Sequence, residues 1–257
     1  MKIVLLAGGL GTRLREETEF RPKPMVPVGG KPILWHIMKT FAHHGHQEFI
    51  VCAGYRGDHI RQYFHDFEAM NSDFTVHIGK QVEKSTHGDI EESGWVVTIA
   101  ETGADTMTGG RILRIRDYVG NETFMCTYGD GLADVDIAKL LAFHKAHGKI
   151  ATMTAVHPIS RFGVLDLDVD GSVKSFVEKP KIEGWINAGY FVFEPGIFEY
   201  LEKDSILEKE PLSKLASEGQ LVAFKHDGFF QPMDTIREMI LLNEMWDSNH
   251  APWKVWK

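Results

Sequence analysis

Cysteine is scarce in this 257-residue chain, and long apolar runs are missing from it. Its two cysteines, Cys52 and Cys126, each lie inside a short apolar run, which favours buried thiols over a disulfide framework. No stretch approaches the roughly 18 apolar residues of a membrane-spanning helix. The apolar start of the chain ends at Gly8 without a small-residue cleavage site, unlike a secretory signal. We therefore expect a cytoplasmic protein without a membrane partner.

An excess of positive charge is also missing. Lysine and arginine number 28 against 36 aspartates and glutamates, which gives a formal net charge of −8. Because binding to a nucleic-acid backbone needs a basic surface, we expect no nucleic-acid partner, although a local basic cluster can hold a small phosphate ligand. Hydrophobic residues make up 43% of the chain, enough for a core, and the length suits one large or two modest domains.

Short strand-like runs alternate with helical patterns through the first half of the chain. We predict strands at 2–7, 48–53, 74–78, 95–100 and 123–128, and helices at 34–41, 60–67 and 137–144. Asp134 or Asp136 is placed to cap the third helix, and Gly148 is placed to end it. This alternation is typical of an α/β protein with a mostly parallel sheet and helices on both faces.

After residue 150 the pattern changes. We predict strands at 150–157, 163–168, 172–178, 187–193 and 220–225, followed by a last helix near 235–246. Turn signals such as Asp170-Gly171 separate these runs, so we expect them to form added mixed or antiparallel sheet. The sequence therefore predicts one α/β unit with an elaborated second half.

A glycine-rich loop, Leu6-Ala7-Gly8-Gly9-Leu10-Gly11-Thr12-Arg13-Leu14, directly follows the first predicted strand. Backbone N–H groups of such a loop can converge on a phosphate, although a tight structural turn is the alternative. A dinucleotide loop would need glycine where Leu14 stands, and the Gly-Lys-Ser/Thr of a Walker loop is absent. Arg13 instead stands on the loop and suits bidentate contact with a polyphosphate.

A second basic segment, Arg21-Pro22-Lys23-Pro24, follows the loop closely. The flanking prolines stiffen the backbone, so Lys23 is presented with little freedom left to lose. A solvated basic loop is the alternative. Together the two segments indicate a site for a nucleoside triphosphate.

Two aspartates are candidate metal ligands. Asp130 lies in Tyr128-Gly129-Asp130-Gly131 at the end of a predicted strand, where ligands gather in α/β sheets, but Asp-Gly is also a turn signal. We expect a helix, not a second strand, to follow it. Asp234 precedes the last helix, so it is either a ligand or that helix's N-cap. Mg²⁺ in phosphate-transfer enzymes takes one or two carboxylates plus substrate oxygens, which this pair fits.

A third group is Glu178-Lys179-Pro180, in which Pro180 holds Lys179 extended at a strand end beside a carboxylate that can bind hydroxyls. Taken alone, an exposed hairpin end explains it better. Asn187 begins the next predicted strand, as a hydroxyl ligand or a turn residue.

These motifs resemble the sugar-1-phosphate nucleotidylyltransferase family over nearly the whole chain. The resemblance is carried by LAGGLGTRL at 6–14, RPKP at 21–24, TYGDG at 127–131 and EKP at 178–180. Further blocks at 29–39, 107–111, 143–149, 231–235 and 251–254 resemble members that use CTP.

The resemblance implies a single Rossmann-like domain over 1–257 with a small added β-sheet extension. Its nucleotide-binding half would be 1–150, and 151–257 would hold the sugar phosphate and the C-terminal helix. It implies transfer of CMP from CTP to glucose 1-phosphate with Mg²⁺, giving CDP-glucose for bacterial surface polysaccharide, and pyrophosphate. It also implies a homo-oligomer, with a hexamer as the candidate state.

The family pattern further implies residue roles. The nucleotide would be surrounded by Leu6, Ala7, Gly8, Gly9, Leu10, Gly11, Thr12 and Gly129, and its base and triphosphate would be positioned by Thr108, Gly110 and Arg111. Arg13 would hold the departing phosphates, Lys23 would contact the reacting centre, and Mg²⁺ would be held by Asp130 and Asp234. The sugar phosphate would be bound by Lys179, and the glucose hydroxyls by Glu178 and Asn187.

Three alternatives stay open. A family member that uses UTP or dTTP would share these motifs, because base choice depends on loop contacts. A non-catalytic nucleotide sensor would share the fold, but the presence of Lys23, Asp130, Lys179 and Asp234 argues against it. A dinucleotide-dependent oxidoreductase is disfavoured by Leu14 in place of the third glycine.

Overall fold

The computed structural model describes residues 1–78, 83–87, 89–160 and 162–256. Its strands are β1 (Lys2–Leu6), β2 (Pro27–Val28), β3 (Lys31–Pro32), β4 (Glu48–Ala53), β5 (Asp73–His77), β6 (Glu83–His87), β7 (Val96–Glu101), β8 (Phe124–Tyr128), β9 (Gly131–Ala133), β10 (Ala151–Val156), β11 (Val164–Leu167), β12 (Val173–Val177), β13 (Ile186–Phe193), β14 (Leu221–His226) and β15 (Phe230–Pro232). Its α-helices are α1 (Arg15–Thr18), α2 (Ile33–His43), α3 (Gly57–His65), α4 (Phe67–Asn71), α5 (Thr108–Arg114), α6 (Arg116–Val119), α7 (Ile137–His147), α8 (Glu210–Ser217) and α9 (Ile236–Asp247).

The central sheet has the strand order β14-β10-β13-β8-β1-β4-β7 within the described ranges. Among these strands β13 alone runs antiparallel to its neighbours, β8 and β10, and the other neighbouring pairs are parallel. The predicted mostly parallel sheet is therefore confirmed. The expected mixed or antiparallel sheet after residue 150 takes two forms: β10, β13 and β14 extend the central sheet, which β13 makes mixed, and β11 and β12 form a separate antiparallel ribbon.

Both faces of the sheet are buried. In β1 the side chains of Ile3 and Leu5 pack into one apolar cluster with α2 and α7, whereas Val4 and Leu6 pack into another with α5 and α8. Alternate residues of a strand point to opposite faces, so a strand buried on both sides reads as a continuous apolar run. This explains why the sequence of β1 shows no polar alternation.

Local signals predicted most of the elements. Each predicted strand lies within one residue of an observed strand at both ends. Asp136 caps α7 by accepting a hydrogen bond from the backbone N–H of Lys139, and Gly148 ends that helix in the left-handed conformation. The predicted helix at 60–67 is divided at Asp66 into α3 and α4.

One expectation around Asp130 is wrong. A helix does not follow this residue directly, because the three residues of β9 come first and pair with β15. The pairing partner lies about a hundred residues further along the chain, so no local pattern around Asp130 could indicate it.

The C-terminal part of the chain is anchored on α2 through His36, which is fully buried. Its Nε2 lies 2.8 Å from the Val28 carbonyl oxygen, and the Trp253 indole donates to its Nδ1 at 3.3 Å. Burial lowers the pKa of His36 to about 4, so the ring is neutral near pH 7. Trp246 of α9 packs edge-on against the same ring, and this fixes the helix that begins just after Asp234.

The two cysteines are buried, as predicted, and burial raises the pKa of Cys52 to about 12. Among the described residues, no helix combines the length and apolar character needed to cross a bilayer.

Candidate active site

A cleft of about 620 Å³ opens at the carboxyl ends of β1 and β8, beside the start of β13. This volume lies in the usual range for sites that hold small molecules. The predicted site residues that line it are Leu6, Ala7, Gly8, Gly9, Gly11, Thr12, Arg13, Lys23, Thr108, Arg111, Gly129, Asp130, Asn187 and Asp234. Segments that are far apart in the sequence therefore meet in one place.

The glycine loop bends sharply at Gly11, which has a φ of 62°. A β-carbon there would also lie 2.8 Å from the Thr18 side chain, so glycine is required for both conformation and space. The next residues form a short 3₁₀ helix, Thr12–Leu14, and the side chain of Arg13 is largely exposed at the cleft. The bend thus brings Arg13 to the same cleft as the backbone of the loop.

Arg111 holds the glycine loop against the sheet from inside the protein. It is 4% exposed, and its guanidinium donates hydrogen bonds to the carbonyls of Gly8, Ala53 and Gly103 at 2.9, 3.3 and 2.8 Å. It also donates to the Thr102 hydroxyl at 2.6 Å. Burial lowers the pKa of Arg111 from its ordinary value. Arg111 therefore fixes the loop, and its predicted contact with the nucleotide stays a prediction.

Lys23 joins the two candidate metal ligands. Its Nζ lies 2.5 Å from Asp130 Oδ2 and 2.7 Å from Asp234 Oδ1, and the other oxygen of Asp234 lies 2.8 Å from an Arg13 nitrogen. Burial by itself lowers the pKa of Lys23, but attraction and hydrogen bonding to the two aspartates outweigh burial and raise it. The ammonium therefore stays charged between two carboxylates.

The N-cap of α9 is Thr235, so Asp234 is not that cap. Glu238 reaches back to the backbone N–H of Thr235 at 2.8 Å, which forms a capping box. The sequence Thr235-Ile-Arg-Glu238 carries this signature and could have separated the two alternatives. The carboxylate of Asp234 is consequently available to Lys23 and Arg13.

Both aspartates are placed by the β9–β15 ribbon. Asp130 and Asp234 flank it at one end, where the backbone N–H of Met233 donates to the Asp130 carbonyl at 2.8 Å. At the other end the carboxylate of Asp134 accepts from the Phe229 backbone N–H at 2.7 Å and lies 2.9 Å from His226 Nε2. These contacts fix the register of the ribbon and hence the separation of the two carboxylates.

Four predicted residues are outside the residues that line this cleft: Leu10, Gly110, Glu178 and Lys179. Leu10 is about half exposed. Gly110 lies under the backbone of Lys203, whose carbonyl oxygen would be 2.2 Å from an added β-carbon. Lys179 follows β12, and its ammonium lies 3.6 Å from Glu178 in an exposed pair. Its φ of 48° is left-handed, so the expectation that Pro180 holds it extended is wrong. Their proposed binding roles stay predictions.

Tyr128 lines the cleft and Glu208 contacts two lining residues, and no sequence pattern assigned a role to either. Tyr128 belongs to the TYGDG motif, but nothing distinguished its side chain from that of a core aromatic residue. Glu208 accepts hydrogen bonds from the hydroxyls of Tyr128 and Thr108, and it lies in a segment without a recognisable motif. Only the fold brings Glu208 to the cleft.

Comparison with known proteins shows which family the chain resembles. Residues 2–230 match the family described as Nucleotidyl transferase. The chain is 50% identical to the glucose-1-phosphate cytidylyltransferase of Salmonella typhi, with all of both chains covered.

This chain belongs to the nucleotidyl transferase family. It is also 44% identical to the probable glucose-1-phosphate cytidylyltransferase of Bacillus subtilis (strain 168) over the full length of both. The crystal structure of HddC from Yersinia pseudotuberculosis superposes with a TM-score of 0.70 at 26% identity, covering 95% of this chain and 99% of HddC. The predicted family and the predicted fold are therefore confirmed.

Gly8 should be far less replaceable than its neighbour Gly9. A β-carbon added at Gly8 would lie 2.1 Å from the Arg111 guanidinium, whereas a β-carbon added at Gly9 would have no neighbouring atom within 4 Å. Because Arg111 can move only by breaking buried hydrogen bonds, we expect Gly8→Ala to lower the free energy of unfolding by on the order of 3 kcal/mol. Gly9→Ala is the matched control and should leave stability nearly unchanged. Urea unfolding of both variants is the measurement, and equal stabilities would contradict this account of the loop.

Proposed function

We propose that this protein transfers CMP from CTP to glucose 1-phosphate, which forms CDP-glucose and releases pyrophosphate. The observation that carries the proposal is the full-length 50% identity to an enzyme of that specificity. The site geometry supports it, because Arg13, Lys23, Asp130 and Asp234 meet in one cleft beside a glycine loop. A nucleotide sensor would not need this set of charged groups.

The main obstacle in this reaction is repulsion between two polyanionic substrates. The ammonium of Lys23 would contact the phosphate that reacts, and the exposed guanidinium of Arg13 would hold the two phosphates that leave. The attacking oxygen of glucose 1-phosphate is already an anion, so the site needs no general base. These residues would neutralise charge and hold the substrates in line, as is usual in phosphoryl transfer.

We propose Mg²⁺ as the metal, held by Asp130 and Asp234. The donor set fits, because two carboxylates converge on one point that a cation, Lys23 Nζ, already neutralises. In the described part of the chain no three His, Cys, Asp or Glu side chains form a group that could hold a metal ion. Two carboxylates with substrate phosphates and water completing the shell are typical of Mg²⁺. When bound, the ion neutralises phosphate charge.

We propose a division of labour along the chain. Residues 1–150 contribute the glycine loop, Lys23 and Asp130 to nucleotide binding, and 151–257 contribute Asn187, Glu178 and Lys179 to sugar-phosphate binding. Asn187 already lines the cleft. Lys179 lies on the flank of the β11–β12 ribbon and is the candidate for binding the sugar phosphate from outside.

We also propose that the protein is a homo-oligomer and that the β11–β12 ribbon packs against a second copy of the chain. Every residue of both strands is exposed, including Val164, Leu165, Val173 and Phe176. A two-stranded ribbon is at best marginally stable in water, and an exposed apolar patch marks an interaction surface.

The proposed assembly predicts a particle larger than one 29.1 kDa chain. We expect light scattering coupled to gel filtration to give a multiple of this mass for the wild type and a smaller particle for Phe176→Ser. Ser172→Ala, at the exposed turn between the two strands, is the control. A wild-type mass of one chain would overturn the proposal.

The proposed reaction predicts which substrates are used. We expect pyrophosphate release with CTP and glucose 1-phosphate to exceed release with UTP, dTTP, ATP or GTP, and release to require Mg²⁺. The measurement is coupled pyrophosphate release over a panel of triphosphates and hexose 1-phosphates. Faster turnover with UTP or dTTP would reassign the base. No turnover with any pair would indicate a sensor.

Asp234 and Thr235 are neighbours with separable roles. Asp234→Asn removes the charge that a hard divalent cation prefers, so we expect turnover to fall about a hundredfold and the Mg²⁺ concentration for half-activity to rise. Thr235→Ala removes only the helix cap, so stability should fall by about 1 kcal/mol while turnover is retained. Activity against Mg²⁺ concentration and urea unfolding of both variants test this. A fully active Asp234→Asn enzyme with unchanged Mg²⁺ dependence would remove Asp234 from the metal site.

A further inference from the structure

Glu208 is a carboxylate in an unexpected position. Its side chain contacts two residues that line a cleft proposed to bind polyanionic substrates. A negative charge beside such a cleft opposes the binding of phosphates, so we expect Glu208 to have another function that offsets this cost. The hydrogen bonds of its two oxygens indicate what that role is.

Each oxygen of Glu208 accepts from a different wall of the cleft. Oε2 lies 2.7 Å from the hydroxyl of Thr108, at the start of α5, and Oε1 accepts from the hydroxyl of Tyr128, at the end of β8. An ionised carboxylate offers only acceptors, so both hydroxyls must donate to it. Burial, followed by the charge of Glu208 and its hydrogen bond, raises the pKa of Tyr128, which keeps this hydroxyl protonated. One side chain thus sets the direction of two hydroxyl groups.

The backbone around Glu208 is held rigidly enough for this purpose. The segment 203–208 lies directly on α5, where an added β-carbon at Gly109 would be 2.8 Å from Ser205 Cβ. The backbone N–H of Gly110 donates to the Ser205 carbonyl at 3.1 Å, and that of Leu207 donates to the Thr108 hydroxyl at 2.9 Å. The two glycines therefore allow a close approach that places Glu208 at the cleft.

The direction of the Tyr128 hydroxyl affects Asn187. With its hydrogen on Glu208, the Tyr128 oxygen presents a lone pair, and the amide nitrogen of Asn187 donates to it over a long 3.5 Å. The amide oxygen of Asn187 accepts from the Gly189 backbone N–H at 2.7 Å, so the amide nitrogen is the atom that faces Tyr128. The Tyr128 ring also lies against Gly189, whose φ is 78° and where a β-carbon would be 2.2 Å from the ring. Tyr128 therefore fixes Asn187 through both its hydroxyl and its ring.

We propose that Glu208 is a positioning residue for the sugar phosphate, which acts through Tyr128 to hold the amide of Asn187 as a hydrogen-bond donor to the sugar's hydroxyls. This inference rests on the proposed function, in which Asn187 binds the acceptor sugar. It assigns Glu208 to specificity for the sugar and not to the triphosphate or the metal, because the Thr108 hydroxyl stays held by the Leu207 backbone N–H at 2.9 Å. Glutamine has nearly the shape of Glu208, but its amide NH₂ group would donate to one of the two hydroxyls and force that hydroxyl to turn. The side-chain shape would be kept, whereas the orientation of the hydroxyls would be lost.

The test compares Glu208→Gln, Tyr128→Phe and the double variant with the wild type. We expect each single variant to raise KM for the sugar phosphate about tenfold, with KM for the triphosphate and the Mg²⁺ concentration for half-activity within about twofold of wild type. The double variant should be little worse than either single variant, because both changes remove one relay. Glu210→Gln, two residues further on and exposed, is the control and should behave as wild type.

The outcomes separate the inference from the proposed function. The wild-type substrate panel decides the reaction, and the variants are then compared on the pair that the wild type uses fastest, whichever it is. An equal rise in KM for both substrates, or additive losses in the double variant, would overturn the role of Glu208. So would an unchanged KM accompanied by a lower melting temperature, because that result would make Glu208 a structural tether only.

Discussion

The ion pairs of Lys23 with Asp130 and Asp234 are the contacts on which the site depends. Two carboxylates close together in a half-buried place repel each other, and one of them takes up a proton unless a cation lies between them. Lys23 supplies that cation from a residue that is only 8% exposed, and it thereby joins three segments that are far apart in the sequence. The proposed binding of a divalent ion and of substrate phosphates would use this arrangement, in which positive charge already lies between two aspartates.

Supporting contacts around these ion pairs keep the arrangement rigid. Arg111 holds the glycine loop through the carbonyl of Gly8, and the His226–Asp134 contact holds the far end of the ribbon that both aspartates flank. The edge-on packing of Trp246 in α9 against His36 fixes the segment that follows Asp234. Each support is a buried or half-buried polar group with its partners in place, which is how a site is held to the tolerance that transfer chemistry requires.

The β11–β12 ribbon and the cleft differ in how far their side chains are buried. The cleft is built from buried, well-packed strand ends, whereas β11 and β12 expose apolar side chains on both faces. Packing of a second copy on the ribbon would cover this surface and would also bring an external wall close to Lys179 at its flank. In that arrangement assembly and sugar binding would depend on each other.

The sequence by itself determined the family, most strands and helices, and the chemical character of the site. These depend on local signals: apolar runs, the Asp136 cap, the Gly148 stop, and a glycine loop followed by Arg13 and Lys23. Even the true cap of α9 was readable from Thr235 and Glu238. Only the tertiary structure decided that β10, β13 and β14 join the central sheet, that β9 pairs with β15, and that Glu208 reaches Tyr128. The physical reason is that a three-residue strand or a lone glutamate has no periodicity of its own, and its partner is set by packing between distant segments.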